Sequence, residues 1–489
     1  MKLGLIRSWP GTSLALALWF APTSFTEAQS FPFPQHVTYA AGTIKPSSVS
    51  QVQMDQTSRA FYDAWKASYL VNGCETNQYY IKYQTSGAIT VSEAHGYGMM
   101  IMALMAGYDP EAQVYFDGMY RFFTNHQSSI TPYLMGWQED PGCVFASGGD
   151  DSATDGDLDI AYALLLADRQ WGSSGPINYL AEGRKVIAAA LAGDINSSIW
   201  SIRLGDWATS GTSHGFSYAT GTRPSDFMMD HFRAYQVFGG NTNWTRVIDR
   251  CYAVINAIQT GNSPGTGLIC DFVVNAGTTP APAPANYLED VTDPQYGYNS
   301  CRVPWRIATD YLVSGDPRAK TAVDRINSWI QTRTGGNPAN IVDGYNITNG
   351  AALAGTSYEL AFAAPFAVGA MVNATNQIWL NKMWTNITTK PVSSSAYFGN
   401  TIKMIDLIVL SGNWWTPALK PTVINNYTRL PDGRFALKFV AESQFTDHVE
   451  ASTNLIDWTP LLTTNPAGTN FSFVDTQAVA LPRRFYRSR

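Results

Sequence analysis

Between residues 51 and 411 the chain alternates two kinds of helical segment, and nothing else in it limits the available folds so strongly. Helical periodicity predicts segments at about 51–70, 92–108, 111–126, 155–171, 177–194, 225–238, 242–259, 299–314, 316–334, 357–372, 374–387 and 394–411. The even-numbered segments are apolar on every side, as in Tyr97-Gly98-Met99-Met100-Ile101-Met102-Ala103-Leu104-Met105. The odd-numbered ones carry Lys and Arg along one side, as in residues 318–330. A helix apolar all round must be enclosed by protein, whereas an amphipathic one faces water. The links leaving the apolar helices are mostly short (Tyr108-Asp109-Pro110, Gly239-Gly240-Asn241, Gly315), and those entering them are long (127–154, 195–224, 260–298, 335–356). Short links make antiparallel neighbours. An (α/α)6 barrel satisfies all of this. Its six inner helices run parallel, six outer helices return, and every long loop gathers at one mouth.

Two of the inner helices begin with acids. Ser92-Glu93 opens the second segment, and Asp155-Gly156-Asp157-Leu158-Asp159 opens the fourth, with Thr154 expected as its N-cap. Acids at every second position cannot share one helical face, and Asp155 falls where free backbone N–H groups and the helix dipole favour negative charge. Paired carboxylates on a rigid scaffold are what glycosidic-bond hydrolysis requires. The formal net charge of -6 argues against a nucleic-acid partner. No His/Asp/Glu spacing suggests a metal site and no cofactor is implied; His95, one turn into an apolar helix, reads as a packed group. A Ser–His–Asp hydrolase is disfavoured, since no Gly-x-Ser-x-Gly elbow precedes a buried helix.

The N-terminus has the form of a secretory leader: Lys2 and Arg7, an apolar run from Leu14 to Ala21, then Thr26-Glu27-Ala28, with cleavage expected after Ala28. The expected domains are a leader at 1–28, a catalytic body at 29–416 and a small accessory module at 422–489. No segment is a convincing membrane span. The protein is expected outside the cell or in the periplasm, as a monomer. Of five cysteines, Cys74, Cys143, Cys251, Cys270 and Cys301, one or two disulfides are expected, with at least one thiol left over. Past Pro417 and Pro421 the pattern turns period-two, as in Phe435-Ala436-Leu437-Lys438-Phe439-Val440, which predicts a small all-β sandwich with Trp458 in its core. A glycan-binding role and a spacer role are both open for it.

The joint pattern of Ala153-Thr154-Asp155-Gly156-Asp157 running into an Ile160-Ala161 helix, Val91-Ser92-Glu93-Ala94-His95-Gly96-Tyr97-Gly98-Met99, and Asn299-Ser300-Cys301-Arg302-Val303-Pro304-Trp305-Arg306 resembles glycoside hydrolase family 8 over about residues 40–415. The resemblance implies an (α/α)6 barrel and inverting chemistry, with Glu93 as general acid and Asp155 holding a distorted sugar at the cleavage point. In one branch of the family an Asp at the position of Asn299 activates water. An amide has no useful basicity, so Asn299 cannot. A second branch carries Asn there and takes a Glu from a longer upstream loop; residues 280–290 form such a loop, and Glu289 stands where that branch has its base. Asp290 and Asp293 are rivals. Asn299 and Arg302 are expected to hold water and substrate. Trp137 and Trp207 lie in mouth loops, where indoles stack on pyranose faces or pin the loop, and for Trp207 the two roles are equally open.

The resemblance implies an endo-acting enzyme on a β-1,4-linked polysaccharide, either chitosan or a β-glucan such as cellulose or lichenan. The loops at 127–154 and 260–298 hold Glu139, Asp140, Asp150, Asp151, Asp271, Glu289, Asp290 and Asp293 without Lys or Arg, which favours polycationic chitosan. Two other classes stay open: a polysaccharide lyase on the same barrel, and a glycan-binding protein that has lost catalysis.

Overall fold

The computed structural model describes residues 30–83, 87–418, 423–440, 447–455, 457–464 and 470–488, so the expected leader lies outside the described residues. Among these residues are twelve α-helices: α1 Gln51–Tyr69, α2 Ser92–Met105, α3 Ala112–Asn125, α4 Thr154–Trp171, α5 Tyr179–Gly193, α6 Met229–Gly239, α7 Asn243–Gly261, α8 Val303–Ser314, α9 Pro317–Arg333, α10 Leu360–Ala370, α11 Gln377–Thr388 and α12 Tyr397–Leu410. Each matches one segment of the periodic pattern. The even-numbered helices contact one another in a cycle, α2 to α4, α6, α8, α10, α12 and back to α2, and each of α2 to α10 also packs on the odd helix that follows it. In α10 every residue is buried, and in α2 every residue but Glu93. The outer helices bury one side only, as α9 does through Ala319, Ala322, Val323, Ile326 and Ile330. This division follows from composition: a helix without a polar stripe has no face to offer water.

The segment 30–45 shows no periodicity, and its role is visible only in three dimensions. Backbone N–H groups of Ser30, Phe33, Val37, Ala40 and Ile44 donate to the carbonyls of Gln170, Ala106, Gly412, Leu312 and Met371, at 2.6–3.1 Å. Those carbonyls lie at the C-terminal ends of α4, α2, α12, α8 and α10, where a helix leaves acceptors without an intrahelical donor. The segment is therefore a strap across the pole opposite the helix N-termini. Phe31 anchors it by stacking on Trp415 at 4.4 Å.

Cys74 and Cys143 form a disulfide with Cα atoms 6.0 Å apart, while Cys251, Cys270 and Cys301 are buried thiols. The bridge ties the stretch after α1 to the loop before α4 and spans 69 residues of chain. Closing a loop of that length restricts the unfolded chain by about 4 kcal/mol in the entropic account. Replacing both cysteines by Ser is expected to lower the urea midpoint of unfolding accordingly. A variant with an unchanged midpoint would contradict this.

Beyond Pro417 the strands Val423–Arg429, Phe435–Val440 and Asn470–Asp475 form one antiparallel sheet, and Thr459–Thr464, Asp447–Ser452 and Phe485–Ser488 another. Leu437, Phe439 and Val449 form the buried centre of an apolar cluster to which both sheets contribute. Trp458 is not part of it: the indole is half-exposed and lies beneath the Arg487 guanidinium at 4.2 Å. The cation–π contact holds the ring at the surface where the period-two pattern had placed it inside.

Candidate active site

Glu93 is positioned by a strand that runs straight into a helix. Thr90–Val91 pairs antiparallel with Gln138–Asp140, Ser92 N–H donates to Trp137 O at 3.0 Å, and α2 begins at Ser92. Glu93 therefore sits in the first turn, at the helix end away from the strap. Asp155 occupies the same place on α4. Thr154 does not cap that helix, contrary to expectation: its hydroxyl donates to Arg203 O at 2.9 Å, and Ala153 is the N-cap without a side-chain bond. The two helices meet backbone to backbone. A Cβ on Gly156 would lie 2.4 Å from Ser92 Oγ, and one on Gly96 2.6 Å from Asp159 Cβ, so no larger residue fits either place.

The three alternating acids of α4 point three ways. Asp155 faces the mouth. Asp157 accepts from Met135 N–H at 2.7 Å and fixes the loop that leads to Trp137. Asp159 is buried, paired through both oxygens with Arg306 and bonded to His231.

Arg302 joins the separate parts. It lies in the single 3-10 turn Ser300–Arg302 that leads into α8. Its Nη1 donates to Glu93 Oε2 at 2.6 Å and Asp155 Oδ2 at 2.7 Å, and its Nη2 to Asn299 Oδ1 and Ser225 Oγ, both at 3.0 Å. A guanidinium only donates, so the Asn299 oxygen faces Arg302 and its amide N–H₂ points outward. That group donates to Glu289 Oε2 at 2.7 Å. Glu289, Asn299, Arg302, Glu93 and Asp155 thus form one hydrogen-bonded chain.

These side chains line a cavity of about 390 Å³, with Trp137, Tyr83, Tyr298 and Phe398 as aromatic walls. The indole N–H of Trp137 donates to Gly148 O at 2.8 Å, which sets the ring plane. Trp207 is not in this lining: it packs edge-on against Tyr218, ring centroids 5.2 Å apart, in a satellite cluster with Phe272 and Tyr287. The rivals of Glu289 are committed to the loop itself. Asp293 accepts from the N–H groups of Leu288, Glu289 and Asp290, and Asp290 Oδ1 from Thr292.

Burial drives the Glu93 carboxyl up to about 7, Asp155 and Asp159 add to the rise, and Arg302 and Arg223 oppose it. Asp155 is buried too, but Arg223 and Arg302 outweigh burial and hold its carboxyl below the usual range. Two neighbouring acids thereby divide: below about pH 7 Glu93 is mostly neutral while Asp155 stays charged. His95 is a packed group, its Nε2 2.7 Å from Met119 O, with burial lowering its ring to about 4. Among the described residues no group of three or more His, Cys, Asp or Glu is placed to hold a metal ion.

Sequence reasoning did not find Arg223 or Tyr397. Arg223 pairs with Asp155 at 2.9 Å and is oriented by Asp226, and the Tyr397 hydroxyl reaches Glu93 Oε1 at 3.3 Å. Both stand at the N-terminal approach to an inner helix, a signal that was available.

Glu139, in the strand beside Glu93, is fully buried with no hydrogen-bond partner on either carboxyl oxygen, and burial pushes it up to about 9. Its unfolded-state value is 4.5, so its contribution favours folding most below that pH and is lost as pH rises toward 9, by at most about 1.4 kcal/mol per unit. Glu139→Gln removes this titration. Its stability relative to the parent is expected to improve from about pH 5 to about pH 8 in urea unfolding. An equal difference at both would overturn the reading.

The family model described as "Glycosyl hydrolases family 8" matches residues 31–412, spanning the strap and all twelve helices. The chain belongs to this family. A β-glucanase of Niallia circulans is 50% identical over 402 residues, covering 82% of this family 8 chain and 95% of that protein. An endoglucanase of Bacillus sp. strain KSM-330 is 40% identical over 400 residues, covering 79% and 82%. The apo structure of a β-1,3-1,4-glucanase from Paenibacillus sp. X4 superposes with a TM-score of 0.76 at 50% identity, covering 80% of this chain and all of that one. At 17% identity, the xylose complex of Rex8A from Paenibacillus barcinonensis shares the fold, with a TM-score of 0.64 over 78% of this chain and 99% of that one. The C-terminal strands lie outside the family match.

Proposed function

We propose that this family 8 member is a secreted, inverting endo-β-glucanase whose helices close into an (α/α)6 barrel. The cyclic contacts of the even helices support the barrel. Glu93 is the general acid and Glu289 the general base. Glu289 takes a proton from water, the water oxygen bonds to the anomeric carbon from the α face, the glycosidic C–O bond breaks, and the Glu93 proton goes to the leaving oxygen. Asp155, kept charged by its arginines, holds a hydroxyl of the distorted sugar. Inverting pairs stand about 6.5–9.5 Å apart to admit water. The carrying observation is that Glu93 and Glu289 line one cavity, with Asn299 and Arg302 bonded between them.

β-Glucan is the better substrate reading, although acidic loop composition favoured chitosan. Burial pushes Glu139 up to about 9 and Asp271 up to about 7, and Asp290 and Asp293 bond their own loop. The acids left in the cavity, Glu93, Asp155 and Glu289, face Arg223 and Arg302. A polycation gains little from such a site. The relatives named β-glucanase and endoglucanase support the same choice. The disulfide fits an exported protein. Proton NMR of the first product tests this on lichenan and chitosan together: α-anomer from lichenan and little release from chitosan is expected. A β-anomer first, or faster chitosan cleavage, would overturn it.

A further inference from the structure

Asp271 belongs to neither the acid nor the base, yet it stands where the loop carrying Glu289 begins and ties that start to the loop's end. Its main-chain N–H donates to Gln295 O at 2.8 Å, and that of Phe272 to Asp293 O at 3.1 Å. Its side chain reaches a few residues further along the same returning stretch of chain. Oδ1 accepts from Gly297 N–H at 3.1 Å, Ser300 N–H at 2.6 Å and Ser300 Oγ at 2.7 Å. These three bonds fix the turn that presents Asn299, which in turn holds Glu289 at 2.7 Å. Asp271 is buried and does not line the cavity, so it does not reach substrate.

We propose that Asp271 is a positioning residue for the base: its Oδ1 clamps the 297–300 turn, so that Asn299 aims the Glu289 carboxylate at the attacking water. The proposal rests on the reading of Glu289 as base. Gly297 gives it an independent handle. A Cβ there would lie 2.3 Å from Asp271 Oδ2, so only Gly leaves the carboxyl group in place, and Gly297→Ala should displace it with residue 271 itself unchanged.

The test is steady-state hydrolysis of lichenan by the full-length protein, with and without sodium azide. Asp271→Ala is expected to lower kcat about a hundredfold with KM nearly unchanged, the effect of a catalytic group misplaced by an ångström. Gly297→Ala should follow it. Asp271→Asn keeps an acceptor oxygen toward the same three donors and should stay within about tenfold of the parent. Azide needs no base, because it attacks the anomeric carbon without releasing a proton. It should therefore recover part of the loss in Asp271→Ala and Gly297→Ala, as in Glu289→Ala. If Glu289→Ala responds to azide and Asp271→Ala does not, or loses activity through KM in step with its melting temperature, the positioning role is overturned. If Glu289→Ala keeps full activity, the base assignment itself fails and the proposal with it.

Discussion

Glu289→Ala is expected to reduce lichenan hydrolysis by about a thousandfold, the middle of the range for general acid–base catalysis, and azide is expected to restore part of it as an α-glycosyl azide. The size follows from what surrounds the carboxylate. Asn299 is an amide, Asp293 is occupied by three backbone N–H groups, and Asp290 by Thr292, so no second base stands ready. Asp155 is charged, but both its oxygens are engaged by Arg302 and Arg223. The configuration of the azide adduct is the decisive reading, because attack from the α face leaves no other anomer. A variant within tenfold of the parent, or a β-azide, would show that water is activated elsewhere.

Glu93→Gln is expected to cost about a thousand- to ten-thousandfold on lichenan and far less on a β-glycosyl fluoride, whose leaving group needs no proton. Burial holds the Glu93 carboxyl at about 7, and only the protonated form can act as acid. The parent's kcat/KM should therefore fall as pH rises through about 7, and the limb should vanish for the Gln variant on the fluoride. Equal loss on both substrates would assign Glu93 to binding. An unaltered rate on lichenan would show that another group supplies the proton, and no sugar release by either form would leave a glycan-binding protein with an incidental acid in its cavity.

The helical body was legible because its inner helices lack a polar stripe, and burial is the only way to satisfy Leu158 to Ala167 or Leu360 to Ala370. The strap was not, because hydrogen bonds from its backbone to helix carbonyls leave no trace in side-chain pattern. Thr154 has cap chemistry, but it is already the first residue of the helix and its hydroxyl donates to the carbonyl of residue 203, a partner invisible along the chain. At the site, the motifs located Glu93, Asp155, Asn299, Arg302, Trp137 and Glu289, which the structure brings to one cavity. Trp207 shares the loop composition of Trp137 but finds Tyr218 first. Counting loop acids cannot tell Asp293, spent on three amides, from Glu289 lining the cavity.

The strap fixes where this molecule can be held. Residue 30 and residues 414–417 both lie at the pole where the inner helices end, with Ser30 N–H on Gln170 O and Phe31 against Trp415. Residues 414–417 are buried and residue 30 is exposed, so a bead or surface coupled ahead of residue 30 leaves the opposite pole free. Trimming past Phe33 instead uncaps the carbonyl of Ala106 and removes the ring from Trp415, so a usable immobilisation handle has to be added to the chain ahead of the strap, never carved from it.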